Sequence, residues 1–406
     1  IADGSSLMTI EEGAFKNCGQ LTSIGEKSTA LFPASLRNIG NESFSGCTGL
    51  REIVISCGNA VIGANAFAGC TNLASVKLPQ LLTSVGSGAF SNCVSLTAIE
   101  LSMCSDSVNS FGKRIFAGCT KLTYAVVPSD FNEKDNFDNE AFVTLIKYAV
   151  PPEGEKGIRV ITKVKYVGED FALTVPDYII GAPVRKIAGG AFNSFTANKP
   201  FGVILPSTLT AINDSAFKGC TMLSEITVPG GALASIGKQA FQGCTSLKKI
   251  EIPDSVTQLG MEAFNMCTAL EEVKLSNGLN TIEKLTFYGC SSLKAAVVPE
   301  NVKKIDALAF EDCSVLEYVV LPKSLRNGSV DLTAFDGCGD LAAIFAPTED
   351  DIDYKDGEDG KYFESIIYDA DAEAYNLRIA VYDQDKQIFK VKDGTSDNGM
   401  STYETV

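Results

Sequence analysis

The sequence predicts a repeat solenoid of the α/β class, a right-handed superhelix of ~23-residue repeats with a parallel β-sheet on its concave side and short β-rich caps. Three observations predict it. The motif Phe-x-x-Cys-x-x-Leu occurs five times between residues 15 and 122 and six times between residues 217 and 341. Most successive copies lie 23 to 26 residues apart. Apolar and polar residues alternate just after the motif, as in a half-buried strand, and a proline often ends that alternation.

The coil at residues 236–253 shows how the elements follow one another. Its Gly-x-x-Ala-Phe-x-Gly-Cys stretch is too short for a full helix, so it predicts a tight turn with a helical or 3₁₀ fragment. Leu247, Ile250 and Ile252 then alternate as a strand, and Pro253 ends the strand because it has no N–H to donate. Stacked coils would place the phenylalanines, cysteines and leucines in continuous buried columns, so that neighbouring coils stabilise one another.

The full pattern Ile-Gly-x-x-Ala-Phe-x-Gly-Cys-x-x-Leu-x-x-Ile-x-Leu-Pro resembles that of the BspA-like, or treponemal-type, leucine-rich repeat surface protein family. The resemblance extends over most of residues 7–347. It implies a leucine-rich-repeat solenoid, found in surface and secreted proteins of anaerobic bacteria and some protozoan parasites. Members of the family are implicated in adhesion and in binding host proteins. The resemblance brings no catalytic residues to this chain.

Interruptions of the repeat divide the chain into four regions. The motif is eroded around Phe142 and Phe192, and a Pro-Pro-Glu-Gly-Glu-Lys-Gly stretch between them has the composition of a linker. Alternating residues at 159–167 and 171–175 predict a hairpin that opens a second array. After residue 347 the repeat ends, and the tail contains three predicted cap strands at 365–368, 377–382 and 387–391, with a frayed end after Lys392. We therefore expect a first array at 1–150, a linker and β-hairpin cap at 151–183, a second array at 184–347 and an acidic C-terminal cap or tail at 348–406.

Composition excludes several classes of function. The chain has 50 acidic and 34 basic residues, and its net charge of −16 repels phosphate backbones, so we expect no nucleic-acid partner. It has no histidine, which removes Ser-His-Asp and Cys-His nucleophile pairs and imidazole zinc sites. Neither a nucleotide-binding glycine motif nor an apolar run long enough to span a membrane is present. The sequence predicts a monomeric, non-enzymatic protein without cofactor or membrane span. The resemblance implies that it is extracellular or at the cell surface, with a targeting segment that is absent from this chain.

Thirteen cysteines and the acidic segments are the candidates for metal sites or disulfides. Eleven cysteines share one repeat position, and the paired spacing of zinc sites is absent. In an in-register stack their Cβ vectors run parallel, which disfavours disulfides, so we expect reduced thiols that act as small hydrophobic residues. The remaining two, Cys57 and Cys104, are expected to lie too far apart to bridge. Residues 350–360 depart from the EF-hand pattern, so a solvated acidic loop is expected there in preference to a Ca²⁺ site.

The residues that flank the buried Ile or Val of each strand are predicted to point away from the core, on the concave face of the sheet. Along both arrays these positions change from charged to apolar and aromatic. Such a face indicates either a protein-binding site or a surface that the chain itself covers. The candidate binding residues are Tyr124, Val126, Lys249, Glu251, Glu272, Lys274, Val297, Tyr318, Val320 and Phe345.

Together these features predict an extracellular or cell-surface protein that mediates adhesion by binding a protein on its concave sheet. The resemblance implies host proteins as partners, such as extracellular matrix or plasma proteins. The alternative is a structural spacer or assembly module that presents another domain at the cell surface. A contiguous exposed patch on the concave face would favour binding, whereas a uniformly hydrophilic face would favour the spacer.

Overall fold

The computed structural model describes residues 6–24, 30–56, 59–79, 82–101, 111–137, 144–151, 157–165, 172–193, 199–322, 324–325, 329–331, 333–341, 343–346, 378–383, 388–395 and 401–405. They belong to two units. Unit 1 comprises Ile1–Glu169 with Tyr178–Val184, and unit 2 comprises Asp170–Asp177 with Arg185–Val406.

The elements are, in chain order, β1 (Thr9–Ile10), β2 (Ala30–Phe32), β3 (Asn38–Ile39), β4 (Glu52–Ile55), β5 (Ala60–Ile62), β6 (Ser75–Lys77), β7 (Leu82–Val85), β8 (Ala98–Glu100), β9 (Tyr124–Pro128), α1 (Glu133–Asn136), β10 (Thr144–Ala149), β11 (Arg159–Lys165), β12 (Ala172–Thr174), β13 (Tyr178–Ile179), β14 (Ala182–Ile187), β15 (Phe201–Ile204), β16 (Ala211–Ile212), β17 (Leu223–Thr227), β18 (Ser235–Ile236), β19 (Lys249–Glu251), β20 (Gln258–Leu259), β21 (Glu272–Lys274), β22 (Thr281–Ile282), β23 (Ala295–Val297), β24 (Lys304–Ile305), β25 (Tyr318–Val320), β26 (Ala343–Ala346), β27 (Arg378–Asp383), β28 (Ile388–Thr395) and β29 (Ser401–Thr405).

Each regular coil contributes one strand to each of two parallel sheets, which confirms the predicted parallel pairing. In each unit the front sheet is the row of strands that follow the Cys-x-x-Leu motif, paired in shorter groups: β4 with β6 and β8 with β9 in unit 1, and β19 with β21 and β23 with β25 and β26 in unit 2. Its pairs are parallel and in register, for example β8 with β9 and β23 with β25. The back sheet is made of the short strands before the Ile-Gly turn, such as β3 with β5 and β16 with β18.

The third side of each coil is a turn, where the sequence predicted a helical or 3₁₀ fragment. Among the described residues α1 is the one helix, and it has four residues, so the coils are β-structures and the α/β expectation is not met there. Gln239 and Gly243 have φ values of +56° and +72°, which a right-handed helix does not allow. The N–H groups of Phe241 and Gly243 donate to the carbonyls of Ala263 and Asn265 in the next coil, both at 2.8 Å, so the turn is hydrogen-bonded between coils.

The predicted phenylalanine column is confirmed. Phe241, Phe264, Phe287 and Phe310 have no exposed surface, and their rings stack nearly parallel with centroids 5.2, 5.5 and 5.1 Å apart. In unit 1 the corresponding rings stack with centroids 5.0 to 5.9 Å apart. Each ring therefore fills the space between its neighbours, and adjacent coils depend on one another for their core.

The cysteine column lies beside the rings, and its thiols form hydrogen bonds that the sequence did not predict. The Sγ of Cys267 donates to the carbonyl of Phe241 at 3.1 Å, and the Sγ of Cys290 donates to that of Phe264 at 3.2 Å. The same bond recurs along both units. The column cysteines thus act as donors between coils as well as apolar fillers. Cys57 and Cys104 lie outside the described residues.

At the end of unit 1, β10 continues the front sheet parallel to β9, and β11 pairs antiparallel with β10. In unit 2, β12 pairs parallel with β15. The strands at 159–167 and 171–175 therefore do not pair with each other in a hairpin, and that prediction was wrong. Because β11 follows β10 after a short connection, antiparallel pairing with β10 is the local arrangement open to it.

At the end of unit 2, β27 pairs parallel with β26, and β28 and β29 follow in antiparallel order. Two of the predicted cap strands are thereby found, whereas the segment 365–368 and the acidic loop 350–360 lie outside the described residues. The frayed end expected after Lys392 is wrong, since the chain forms β29 there. The strand β27 gives β26 a hydrogen-bonded neighbour, which closes an otherwise open sheet edge. The division into regions at 150, 183 and 347 stays a prediction.

Candidate protein-binding face

The outward side of the front sheet in unit 2 carries most of the predicted binding residues. In β19, Ile250 is buried between the exposed Lys249 and Glu251, and β25 alternates in the same way around Val319. Both strands therefore direct the flanking side chains away from the core. We call this surface the front face of unit 2, and it is lined by Lys249, Glu251, Glu272, Lys274, Ala295, Val297, Tyr318 and Val320.

Four of these residues form a compact group of alternating charge on β19 and β21. The register places Lys249 beside Glu272 and Glu251 beside Lys274. The Nζ of Lys249 lies 3.0 Å from a carboxylate oxygen of Glu272 and 3.6 Å from one of Glu251. Hydrogen bonding to Glu272 raises the pKa of Lys249, so the lysine stays charged. The group has no net charge, and its exposed ion pairs contribute little to the stability of the fold.

Next to the charged group the front face becomes apolar, on β23 and β25. Val297 is 57% exposed and Tyr318 is 39% exposed, whereas Ala295 and Val320 are half-buried. The register places Ala295 beside Tyr318 and Val297 beside Val320, so the four side chains form one patch. The backbone of Phe345 continues this patch by pairing with Val320, but the side chain of Phe345 lies outside the described part of the structure.

The two candidates in unit 1 are placed differently from the prediction. Val126 has no exposed surface, so it cannot contact a partner and its assignment to the binding face was wrong. Tyr124 is half-buried, and burial together with the charge of Glu100 raises its pKa to about 12. The turn at Ile180 and Gly181, which comes from the segment after the array, lines a cleft of about 570 Å³ over this face. The alternation of apolar and polar residues within β9 cannot predict that a later segment of the chain lies over this face.

The sequence did not predict a cleft of about 860 Å³ on the back sheet of unit 2. It is lined by polar residues of successive coils, among them Asp214, Lys238 and Gln258, together with apolar residues such as Ile236 and Leu259. The Oδ1 of Asp214 accepts a hydrogen bond from the backbone N–H of Lys238 at 2.8 Å, so this carboxylate links two coils. The front face, whose apolar residues project into solvent, is therefore the better candidate for binding another protein.

A profile of the BspA type leucine rich repeat region matches the chain in six copies, over residues 8–147 and 185–317. Those ranges cover more than half of the sequence and coincide with the stacked coils. The chain belongs to the BspA-type leucine-rich repeat family. The resemblance of the repeat pattern to that family is thereby confirmed.

Several solved bacterial leucine-rich repeat proteins are similar to this chain. A leucine-rich repeat protein of T. pallidum is 28% identical, with 50% of this chain and 83% of that chain covered and a TM-score of 0.36. A leucine-rich repeat protein of Bacteroides ovatus is 23% identical, with 93% and 88% covered and a TM-score of 0.40. A leucine rich cell surface protein of Faecalibacterium prausnitzii is 20% identical, with 84% and 83% covered and a TM-score of 0.32. The search of curated proteins gives no match.

The described part of this leucine-rich repeat protein lacks the side-chain clusters and the helices that metal binding and membrane insertion require. Within the described ranges no group of three or more His, Cys, Asp or Glu residues could hold a metal ion. Burial raises the pKa of Cys220 and Cys267 to about 12, so these thiols stay protonated and are poor metal ligands and nucleophiles. No helix in the described part of the chain is long and apolar enough to cross a membrane.

Proposed function

We propose that this leucine-rich repeat protein is a non-enzymatic, extracellular or cell-surface protein that binds another protein on the front face of unit 2, and that it mediates adhesion to host proteins such as extracellular matrix or plasma proteins. The single observation that carries the proposal is the exposed patch of Val297 and Tyr318 beside a charged group. In the proposal this face is the concave side of a right-handed superhelix, the protein is a monomer, and the cap and linker regions keep the limits predicted above.

The chemistry of the patch supports protein binding. Protein interfaces have an apolar centre enriched in aromatic residues and a polar rim, and a few such residues carry most of the binding free energy. Tyr318 and Val297 supply the apolar centre, and Lys249, Glu251, Glu272 and Lys274 supply the rim on one side. Because the rim charges are already paired within the chain, we assign to them the orientation of a partner more than its affinity.

The rigidity of the sheet also supports the proposal. Two pairs of front strands, β19 with β21 and β23 with β25, are hydrogen-bonded and lie on a continuous buried core, so the face is ordered before a partner arrives. Binding to a preorganised surface loses less conformational entropy than binding to a loop. A modest patch on such a surface is therefore sufficient for specific binding.

A binding screen with purified proteins tests the proposal. The whole chain is immobilised, and a panel of host extracellular matrix and plasma proteins is passed over it in surface plasmon resonance. We expect at least one member to bind, and the double variant Val297→Lys with Tyr318→Ser to bind it at least tenfold more weakly. Met266→Lys is the matched control, because Met266 is 45% exposed but lies on the turn side of its coil. If no member of the panel binds, or if both variants bind as the parent chain does, adhesion through this face is wrong and the spacer role replaces it.

A further inference from the structure

The front faces of the two units carry nearly the same residues on three consecutive strands. On β8 and β9, Ala98 lies beside Tyr124 and Glu100 beside Val126. On β23 and β25, Ala295 lies beside Tyr318 and Val297 beside Val320. The strand before each pair ends in a lysine, Lys77 in unit 1 and Lys274 in unit 2. Four of the six outward positions therefore hold the same residue in both units, namely Lys, Ala, Tyr and Val.

In unit 1 a turn of the chain itself forms one wall of a cleft over this face. The strands β13 and β14 form an antiparallel hairpin in which Ile179 pairs with Ala182, so Ile180 and Gly181 form a two-residue turn. Both turn residues line the cleft over the face, together with Ser75, Lys77, Ala98, Glu100 and Tyr124. The turn tip therefore stands above the residues that unit 2 repeats.

The backbone conformation of the turn is unfavourable for isoleucine, which suggests that the Ile180 side chain is needed at this position. Ile180 has a φ of +52° and Gly181 a φ of +70°, as a type I′ turn requires at both central positions. Asn or Gly fits the first of these positions without strain, whereas a β-branched residue in the left-handed region costs roughly 1–2 kcal/mol. Turn propensity therefore does not explain Ile180, and strain of this kind is found where a side chain is needed at that place.

Burial differs between the two faces at the tyrosine and the valine that they share. Val126 in unit 1 has no exposed surface and Tyr124 is half-buried, whereas Val320 is half-buried and Tyr318 is 39% exposed. Where unit 1 has Glu100, unit 2 has Val297, which is 57% exposed. The face of unit 2 is thus the more apolar of the two, and its tyrosine and valine are more open to solvent.

We propose that the front face of unit 2 around Ala295, Val297 and Tyr318 is a docking site for a tight two-residue β-turn with an aliphatic residue at its tip, presented by a partner protein. The inference rests on the proposed function and narrows the partner to proteins that expose such a hairpin. Unit 1 supplies the template, since Ile180 lines the cleft above Ala98 and Tyr124. A hairpin turn is ordered before binding, so it loses little conformational entropy on the sheet.

A peptide that reproduces the chain's own hairpin tests this site. The probe is a fluorescein-labelled, head-to-tail cyclised peptide of residues 177–184, and its binding to the whole protein is followed by fluorescence anisotropy. We expect saturable binding below 1 mM. The Val297→Lys variant should weaken it at least tenfold, and the Met266→Lys control should leave it unchanged. The same peptide with Ile180→Asn keeps a favourable type I′ turn but lacks the aliphatic tip, so it should bind at least tenfold more weakly.

Each outcome decides the inference. No saturable binding up to 1 mM, equal binding of the two peptides, or binding that Val297→Lys leaves unchanged would overturn it. Thermal melts of the variants confirm that the exposed substitutions leave the fold intact, and the peptide pair makes the test independent of any protein variant. If the peptide fails while a panel protein still loses affinity for the Val297→Lys, Tyr318→Ser variant, protein binding at this face stands and only the turn partner is wrong.

Discussion

Replacing Phe264 with alanine should open the core of unit 2 at one coil and leave unit 1 unchanged. The ring is fully buried and stacks between Phe241 and Phe287 with centroid distances of 5.2 and 5.5 Å. Deleting a buried phenylalanine side chain costs about 3–5 kcal/mol through lost burial and the cavity that remains. Phe264→Leu retains most of the volume and should cost about 1–3 kcal/mol, because it removes two stacked contacts of ~0.5–1.5 kcal/mol each.

Hydrogen exchange is the appropriate measurement, because a long repeat array does not have to unfold in one step. For Phe264→Ala we expect the free energy of opening to fall by ~3–5 kcal/mol for amides in the coils of Phe241, Phe264 and Phe287. Amides of unit 1 should keep the protection of the parent chain. Met266→Ala is the control, since it truncates a side chain of the same coil that is 45% exposed. A fall below ~1 kcal/mol, or one spread evenly over both units, would refute the reasoning that stacked rings stabilise neighbouring coils.

Three further predictions concern close packing, thiol reactivity and pH. Gly86→Ala should destabilise unit 1 by ~1–3 kcal/mol in urea unfolding, because its Cβ would lie 2.4 Å from a backbone nitrogen of the preceding coil, whereas Gly157→Ala, with nothing within 4 Å, should be neutral. Iodoacetamide at pH 8 should modify the exposed Cys18 well before Cys267, whose pKa burial raises to about 12; equal rates by mass spectrometry would contradict the buried column. Burial alone would raise the pKa of Glu133, but hydrogen bonds from Lys147 and Lys163 lower it to about 2. These two bonds should stabilise unit 1 above about pH 5, and the stabilisation should be lost as the pH falls toward 2. In unfolding followed by circular dichroism, a Glu133→Gln variant should lack this acid-dependent stabilisation, which is on the order of 3 kcal/mol.

The stacked part of the fold could be predicted because each coil meets almost the same environment above and below. Ile250 and Phe264 are buried because they pack between neighbouring coils, as do their counterparts one period away. The structure of one coil therefore predicts that of the others. The outward direction of Lys249 and Glu251 follows from strand alternation alone. Local pattern and tertiary structure agree at these positions because the neighbours of each residue are themselves periodic.

The turn could not be predicted in the same way. Gln239 adopts a positive φ without being glycine or asparagine, so its residue type gives no signal for the left-handed region. The bond from Cys267 to Phe241 joins residues 26 positions apart and depends on the distance between coils, which the sequence does not contain. The cysteine column was therefore predicted as buried, and its role as a donor was missed.

The candidate site shows where such predictions end. Val126 and Val320 occupy the same outward position of the repeat, yet only Val126 is sealed from solvent. Val126 pairs with Ile146 of β10, a strand outside the regular repeat, and the turn at Ile180 lines the cleft over the neighbouring Tyr124. Repeat spacing predicts the contacts between coils. It does not predict which non-repeat segments of the chain pack on a face of the array.

The difference between buried and outward positions is also the reason that we propose the front face as the binding surface. A buried position such as Phe264 accepts little variation, since a larger or smaller side chain disturbs two neighbouring coils at once. An outward position has no such constraint, so Glu272 can be followed one coil later by Ala295 and then by Tyr318 without any change in the stack. Side chains on this face can therefore be selected for a partner at almost no cost to the fold. For that reason membership in the family specifies the solenoid, whereas the outward residues from Lys249 to Tyr318 are free to specify a partner.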